Sequence, residues 1–301
     1  MALDRRPRNP AEFRAALIDA SILIPTTQPG VYGFGEIFES VLSAITEQLD
    51  HAARNHSVKY ERLTFPPVLP DIEYRRSDYL SSFPQLAGLI SAMDSDEKSV
   101  TRALVSDTGS AEIAADHFGY ADLALLPAAC HPIYAMLADS TLGGSRRLEV
   151  TGRCFRHEPS PDPMRLQAFR MREYVVVGTS ESVATHADLW RSAMPDIFDT
   201  LGLPVEVEPA NDPFFGRTGK LLAAQQRELD QKVELVCALY ADDSPRAIAS
   251  VNRPGEHFGE LFSIGTPEGV ANTGCVAFGL ERIVLAMLAI YGFDRTGIHL
   301  T

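Results

Sequence analysis

Apolar residues recur at helical spacing in two early segments, 11–23 and 36–54. In the second, Phe38, Val41, Leu42, Ile45 and Leu49 fall on one stripe, which predicts an amphipathic helix. Between the segments, Pro25, Pro29, Gly30, Gly33 and Gly35 mark a loop. Residues 58–65 alternate with period two, predict a strand and run into Pro66-Pro67. Over 99–137 the pattern mixes short helices with the apolar run Leu123–Cys130, and a helix is expected after His131-Pro132. From residue 148 the alternation sharpens. Leu148, Val150, Gly152 and Cys154 predict one strand, and the valine-rich run 169–178 predicts another. Pro159, Pro161 and Pro163 lie between them and fit neither a ladder nor a helix, so an antiparallel hairpin with a long, stiff loop is expected. Helices over 184–201 and 219–229 and strands over 231–240 and 246–252 follow. A final helix begins near 279, with Leu280, Ile283, Val284, Met287 and Leu288 on one stripe.

No internal repeat, heptad tract or low-complexity linker divides the 301 residues, so a single domain over 1–301 is expected, the helical segment of about 1–57 packed on it. Charge narrows the function. With 27 Lys and Arg against 40 Asp and Glu, the net charge is −13, which opposes a broad phosphate-binding surface. No apolar run approaches the ~20 residues of a membrane span, and the N-terminus lacks the apolar stretch of a signal peptide; a cytoplasmic protein is expected. Cys130, Cys154, Cys237 and Cys275 are far apart with no C-x-x-C pair, which points to neither a zinc finger nor a disulfide scaffold.

On strands of period two, Cys154, Arg156 and Glu158 share one face, as do Phe169, Met171 and Glu173. A register-matched hairpin brings these groups onto one surface; a salt-bridged solvent face is the alternative reading. Residues 146–172 hold seven arginines against three acids, a local +4, which suits a small polyanion such as a nucleoside triphosphate. His157 alternates away from Arg156, toward solvent or a partner strand. Near the C-terminus, Gly274 and Gly279 precede Arg282, a cation at a helix start where the dipole prefers acids. Two thiols and a carboxylate, such as Cys130, Cys275 and Glu173, are the donor types that hold Zn²⁺ with a fourth position open. Their spacing carries no local signal, and a buried cysteine is more often a small hydrophobe.

These segments resemble the signature motifs of class II aminoacyl-tRNA synthetases. Phe155-Arg156-His157-Glu158 with Phe169-Arg-Met-Arg-Glu173 is similar to motif 2, and Gly274-Cys-Val-Ala-Phe-Gly279-Leu-Glu-Arg282 to motif 3. Phe65-Pro66-Pro67 resembles a degenerate motif 1, the element that lies at the dimer interface in that class. A narrower resemblance covers about residues 11–292. Tyr79-Leu-Ser-Ser-Phe-Pro-Gln-Leu-Ala-Gly88, Pro127-Ala-Ala-Cys130, Cys154-Phe-Arg-His-Glu-Pro-Ser160, Asn211-Asp-Pro-Phe-Phe-Gly-Arg217, His257-Phe-Gly259 and Thr273–Gly279 look like the amino acid:[carrier protein] ligases. These are truncated homologues of the atypical, zinc-dependent seryl-tRNA synthetases.

The resemblance implies an α/β fold, an antiparallel sheet flanked by helices, in a homodimer. It implies activation of a small amino acid (glycine or alanine, with serine as a further candidate) by ATP. The aminoacyl group then passes to the phosphopantetheine thiol of a carrier protein. By the same resemblance Cys130, Glu173 and Cys275 are zinc ligands, and the substrate amino group takes the open position. Arg156 goes to the α-phosphate and substrate carboxylate, Glu158 to the adenine amino group, Phe169 to adenine stacking and Arg282 to the γ-phosphate. Arg165 joins the ATP site. Glu234 stands in for the Mg²⁺-binding Glu missing before the strand at 246–252, and Ser250 and Asn252 line the amino-acid pocket. Cys154 and Cys237 are packing residues, and folding is expected to depend little on Arg156 or Arg282. Two rival readings remain, a seryl-type tRNA synthetase and a non-catalytic paralogue acting as a binding module. Against the first stand the acidic charge and the lack of a long N-terminal tRNA-binding extension; against the second stand intact Arg156, Glu158, Glu173 and Arg282.

Overall fold

A computed structural model describes residues 6–55, 58–93, 118–216, 231–241 and 244–293, with single positions at 96, 98, 101 and 226. The first helix, α1 (Pro10–Asp19), is capped by the Asn9 side chain, which accepts from the Glu12 amide. It ends before residue 23 because Ser21 enters the left-handed region at φ 55°. The expected loop that follows contains a small hairpin of β1 (Leu23–Pro25) and β2 (Tyr32–Phe34). Next come α2 (Glu36–Asn55), β3 (Glu61–Leu63), β4 (Val68–Pro70), α3 (Asp71–Arg76) and α4 (Tyr79–Ser82). Strands β5 (Leu89–Met93) and β6 (Phe118–Leu125) form a three-stranded sheet with β4. The short helices expected within 99–117 fall almost wholly outside the described residues, as does the helix expected over 219–229.

After α5 (His131–Met136), the predicted hairpin forms from β7 (Arg146–Phe155) and β8 (Ala168–Gly178). Helix α6 (Ser180–Thr200) starts at a Thr179 cap. Strands β9 (Glu206–Pro209), β10 (Lys232–Ala238) and β11 (Pro245–Gly255), helix α7 (His257–Phe262) and the β12 (Gly265–Thr266) and β13 (Gly269–Val270) hairpin lead to β14 (Asn272–Gly279). The last helix is α8 (Leu280–Tyr291). Seven strands make the main sheet in the order β3-β7-β8-β14-β11-β10-β9. All neighbours are antiparallel except β3 and β7.

Register decides which side chains meet, since directly paired residues share a face. Val150, Glu173, Ala277, Ser250 and Glu234 form one row; Leu148, Val175, Cys275, Asn252 and Lys232 form the next. On the opposite face Tyr174, Val276 and Phe278 pack against α2, α6 and α8, with Trp190 stacked on Tyr174 at 4.4 Å. The first face is covered by Ile133 and Tyr134 of α5 and Phe262 of α7, packed with Val150, Val175 and Cys275. Among the described residues, no helix is long and apolar enough to cross a membrane.

The expected arginine focus over 146–172 is largely neutralised within the fold. Arg172 is buried on the helical face between Glu149 and Asp50. Arg170 pairs with Glu39 at 2.9 Å and Glu281 at 2.6 Å. Arg146 pairs with Glu61, and Arg165 with Glu158 at 3.5 Å. The hairpin is therefore neither a simple solvent face nor a row of free cations. Its opposite face carries buried pairs, a charged group being costly to bury alone.

Candidate active site

Alternation on β8 and β14 turns Glu173 and Cys275 to the same face, one step apart in register. Cys130 reaches them from the turn that precedes α5. That turn lies close over β7 because residue 152 is glycine; a Cβ there would come within 3.1 Å of the Ala129 Cβ. The ligand atoms of Cys130, Glu173 and Cys275 all lie within 4.8 Å of one another. Cys275 Sγ donates to Glu173 Oε2 at 2.8 Å, and the Ala129 amide donates to Oε1 at 2.6 Å. All three side chains are buried, Glu173 to 1% exposure. Hydrogen bonding to Cys130, burial and the Glu173 carboxylate hold the Cys275 thiol well above the ordinary range. For Cys130, the Cys275 hydrogen bond pulls downward, but burial and Glu173 outweigh it and the net shift is upward.

Three groups able to carry negative charge thus converge away from water, and no cationic side chain pairs with Glu173 among the described ion pairs. Two sulfurs and one oxygen match the ligand preferences of Zn²⁺ and leave a position open. The donor set fits that metal.

The second part of the site gathers at the end of the hairpin. Pairing continues past β7: the Arg156 amide donates to Gln167 O at 2.9 Å and the Phe155 amide to Leu126 O at 2.7 Å. Arg156 is half-buried, lies over the Phe169 ring at 5.5 Å and donates to Pro127 O at 3.2 Å. Burial disfavours its charge, yet Tyr79, Cys154, Asp212 and Glu158 more than compensate, and its pKa is raised. Arg282, third residue of α8, donates to Met164 O and Ala247 O, each at 3.0 Å. Burial and the neighbouring Arg156 lower its pKa, opposed by Glu158 and Glu234. Arg156, Glu158, Glu234 and Arg165 all bear on the charge of Arg282, and Arg156 lies over Phe169. His157 is exposed and contacts Gln167, the residue before β8, at 3.2 Å, while Cys154 and Cys237 are buried packing thiols.

Ser250 and Asn252 stand side by side on β11, the Asn252 amide donating to Ser250 Oγ at 3.0 Å. Glu234 is not free. Lys232 lies between Asp212 at 2.6 Å and Glu234 at 3.1 Å; burial opposes its charge, but the two carboxylates raise its pKa. Lys232 occupies one Glu234 oxygen, Oε1. Arg282 also ties the loop to β11, so it contributes to structure more than its sequence position suggests.

Four residues of this region were not singled out by sequence reasoning: Tyr79, Asp162, Asp212 and Lys232. Asp162 is buried in the hairpin loop, accepting from the Tyr240 hydroxyl at 2.9 Å and from Arg246 at 3.2 Å. Its position between two prolines was the available signal. Asp212 and Lys232 meet only through the fold.

Residues 115–291 match the tRNA synthetase class II core domain (G, H, P, S and T). The chain is 36% identical over 269 residues to amino acid–[acyl-carrier-protein] ligase 2 of Bradyrhizobium diazoefficiens, covering 88% of this chain and 79% of that protein. Ligase 1 of the same organism is 37% identical over 268 residues, 88% of this chain and 81% of the relative. In structure, the seryl-tRNA synthetase of M. kandleri, solved in complex with A. aeolicus tRNASec, superposes with a TM-score of 0.83 at 19% identity. That match covers 99% of this chain and 60% of the synthetase, and it speaks to the fold alone. The chain belongs to the class II tRNA synthetase core family and, within it, to the amino acid–[acyl-carrier-protein] ligases.

Proposed function

We propose that this protein activates a small amino acid, glycine or alanine, as its adenylate and transfers the aminoacyl group to the phosphopantetheine thiol of an acyl or peptidyl carrier protein. The observation that carries the reading is the convergence of Cys130, Glu173 and Cys275 on the sheet face that also bears Phe169, Ser250 and Asn252, beside Arg156. The names of the two bacterial relatives support the reaction class.

Activation forms a bond from a substrate carboxylate oxygen to the α-phosphorus of ATP and breaks the bond to the β-phosphate oxygen, releasing pyrophosphate. Arg156 faces the charge that develops there, a pre-set cation requiring no reorganisation. Phe169 stacks on adenine, Glu158 accepts from its amino group, and Arg165 and Arg282 take the outer phosphates. In the second step the thiol sulfur bonds to the acyl carbon, the thiol proton is released and AMP leaves. Cys130, Glu173 and Cys275 would hold Zn²⁺, which when bound would supply a Lewis acid for the substrate amino group. Ser250 and Asn252 line the side-chain pocket.

With a net charge of −13, the chain has little to hold a tRNA, so the carrier protein is the acceptor in this reading. The active form is a homodimer with Phe65-Pro66-Pro67 at its interface. The test is ATP–pyrophosphate exchange over a panel of amino acids, followed by transfer to holo-carrier protein, apo-carrier protein or bulk tRNA. Exchange with glycine or alanine and labelling of the holo form alone are expected; charged tRNA or equally labelled apo form refutes the acceptor.

A further inference from the structure

Asp162 sits in the loop that joins β7 to β8 and is only 8% exposed. Its Oδ1 accepts from the Met164 amide and from the Tyr240 hydroxyl, each at 2.9 Å. Oδ2 accepts from Nε and Nη2 of Arg246, each at 3.2 Å. The Arg246 guanidinium in turn lies over the Tyr240 ring, 5.2 Å from its centre. Tyr240 stands two residues beyond β10, and Arg246 is the second residue of β11, so both partners belong to the main sheet. On the loop side, Pro163 fixes φ and the Arg165 amide donates to Asp162 O at 2.9 Å, closing a tight turn.

A carboxylate is a costly anchor, because its lost hydration is offset only by well-placed partners. Apolar contact already holds the loop down, since Met164 and Leu166 are buried in the main core. Such contact is non-directional. What the hydrogen bonds of Asp162 add is orientation.

That orientation bears on Arg282. Its Nε donates to Met164 O and its Nη1 to Ala247 O, each at 3.0 Å, while Nη2 has no hydrogen bond among the described residues. Ala247 lies on β11 and Met164 on the loop, so carbonyls of two separate elements fix the plane of one guanidinium. The Met164 residue whose amide meets Asp162 is the one whose carbonyl meets Arg282. The same turn carries Arg165, which reaches Glu158 at 3.5 Å.

We propose that Asp162, held by Tyr240 and Arg246, is a positioning residue for the outer phosphates of ATP: it sets the loop so that Arg282 and Arg165 present their guanidinium groups to them. The inference rests on the nucleotide reading above and adds to it the group that aims those two arginines. Phe169, Glu158 and Arg156, the residues given to adenine and the α-phosphate, are not aimed by this turn, so AMP binding is independent of Asp162.

Asp162→Asn keeps the shape and removes the charge that Arg246 holds. Calorimetry measures the binding of AMP and of Mg²⁺ with α,β-methylene-ATP, whose α–β bond resists cleavage. The variant is expected to bind the ATP analogue roughly tenfold more weakly and AMP as wild type does. A loss for the analogue about fivefold or more beyond that for AMP supports the inference. A smaller excess overturns it, equal weakening of both ligands being the pattern of a purely structural role. Tyr240→Phe, which removes one hydroxyl and keeps the charge pair, decides the matter if Asp162→Asn does not fold. Its analogue binding is expected to weaken about threefold with AMP unchanged, and an excess below roughly twofold overturns the inference. Arg165→Ala and Arg282→Ala report on the underlying reading separately. If neither loses analogue affinity relative to AMP, the outer-phosphate assignment itself fails, and its positioning by Asp162 falls with it.

Discussion

The Cys275 thiol lies 2.8 Å from a Glu173 carboxylate oxygen although 102 residues separate the two in sequence. Adjacent strands and a fixed register create that meeting, and Cys130 joins it from a turn. About one zinc per chain is expected, with Cys130→Ala and Cys275→Ala each losing it by elemental analysis. Cys154→Ala and Cys237→Ala are expected to retain it. Full zinc content in both of the first two variants would exclude the site.

For the nucleotide, Arg156→Ala is expected to reduce pyrophosphate exchange by a factor of about 10²–10³, the usual cost of a lost transition-state partner. Among the described residues its side chain makes one hydrogen bond to the backbone, to Pro127 O, so the circular dichroism spectrum should be preserved. Arg282→Ala is expected to lose exchange and also stability, since it removes hydrogen bonds to both Met164 O and Ala247 O. Near-normal exchange in Arg156→Ala removes that residue from the mechanism.

Substrate choice follows from what a pocket can measure. Glycine and alanine differ by one methyl, worth roughly 1 kcal/mol or a little more, so overlapping activity on both is expected. Branched and aromatic amino acids should give none. Exchange with valine or phenylalanine at rates near those of alanine would contradict the small-substrate reading.

His186 sets an acid limit on stability. Buried, it lies 3.1 Å from Tyr174 O through Nε2 and 3.2 Å from the Tyr60 hydroxyl through Nδ1. Burial lowers its pKa to about 4, with Arg147 acting in the same sense against the Tyr174 hydrogen bond. The unfolded chain, with an ordinary value near 6.5, therefore binds the proton first, and stability falls as pH drops from about 6.5 toward about 4. Between pH 7 and 5 the loss from this residue is on the order of 2 kcal/mol. Urea unfolding at the two pH values should show a smaller difference in His186→Phe; an equal difference assigns the acid sensitivity elsewhere.

Arg172 offers the strongest test of the helical face. Arg172→Ala leaves Glu149 buried and Asp50 half-buried without the buried one of the two cations they share, a change that costs about 3–5 kcal/mol in buried pairs. Arg62, whose side chain is 63% exposed, contacts the same two carboxylates, and Arg62→Ala should cost about 1 kcal/mol or less. Equal unfolding midpoints for the two variants would contradict this ranking.

Much of this molecule was legible because its elements obey their periods. Helix α2, hairpin β7–β8 and helix α8 carry clean stripes or alternations, and all three formed as expected. The parity rule also placed Phe169, Met171 and Glu173 together. Short elements escaped: β4, β5 and α3 are three to six residues long, too few for a period to register. Lys232 escaped for another reason. Its meaning comes from Asp212, 20 residues away in sequence, and no local pattern encodes such a meeting. Likewise the charge excess of 146–172 was a true count, but its neutralising acids Glu39, Asp50, Glu61 and Glu281 lie outside the counted window.

The pairing of Arg170 and Arg172 with Glu39 and Asp50 of α2 has a consequence for the growing chain. On the ribosome the two acids emerge more than a hundred residues before their arginines, so α2 must wait, amphipathic and undocked, until β8 arrives. Cys275 comes later still. A nascent chain can thus balance the charges of α2 against β8 while the Cys130–Glu173–Cys275 cluster is still one thiol short, and that cluster is complete only when β14 closes the centre of the sheet.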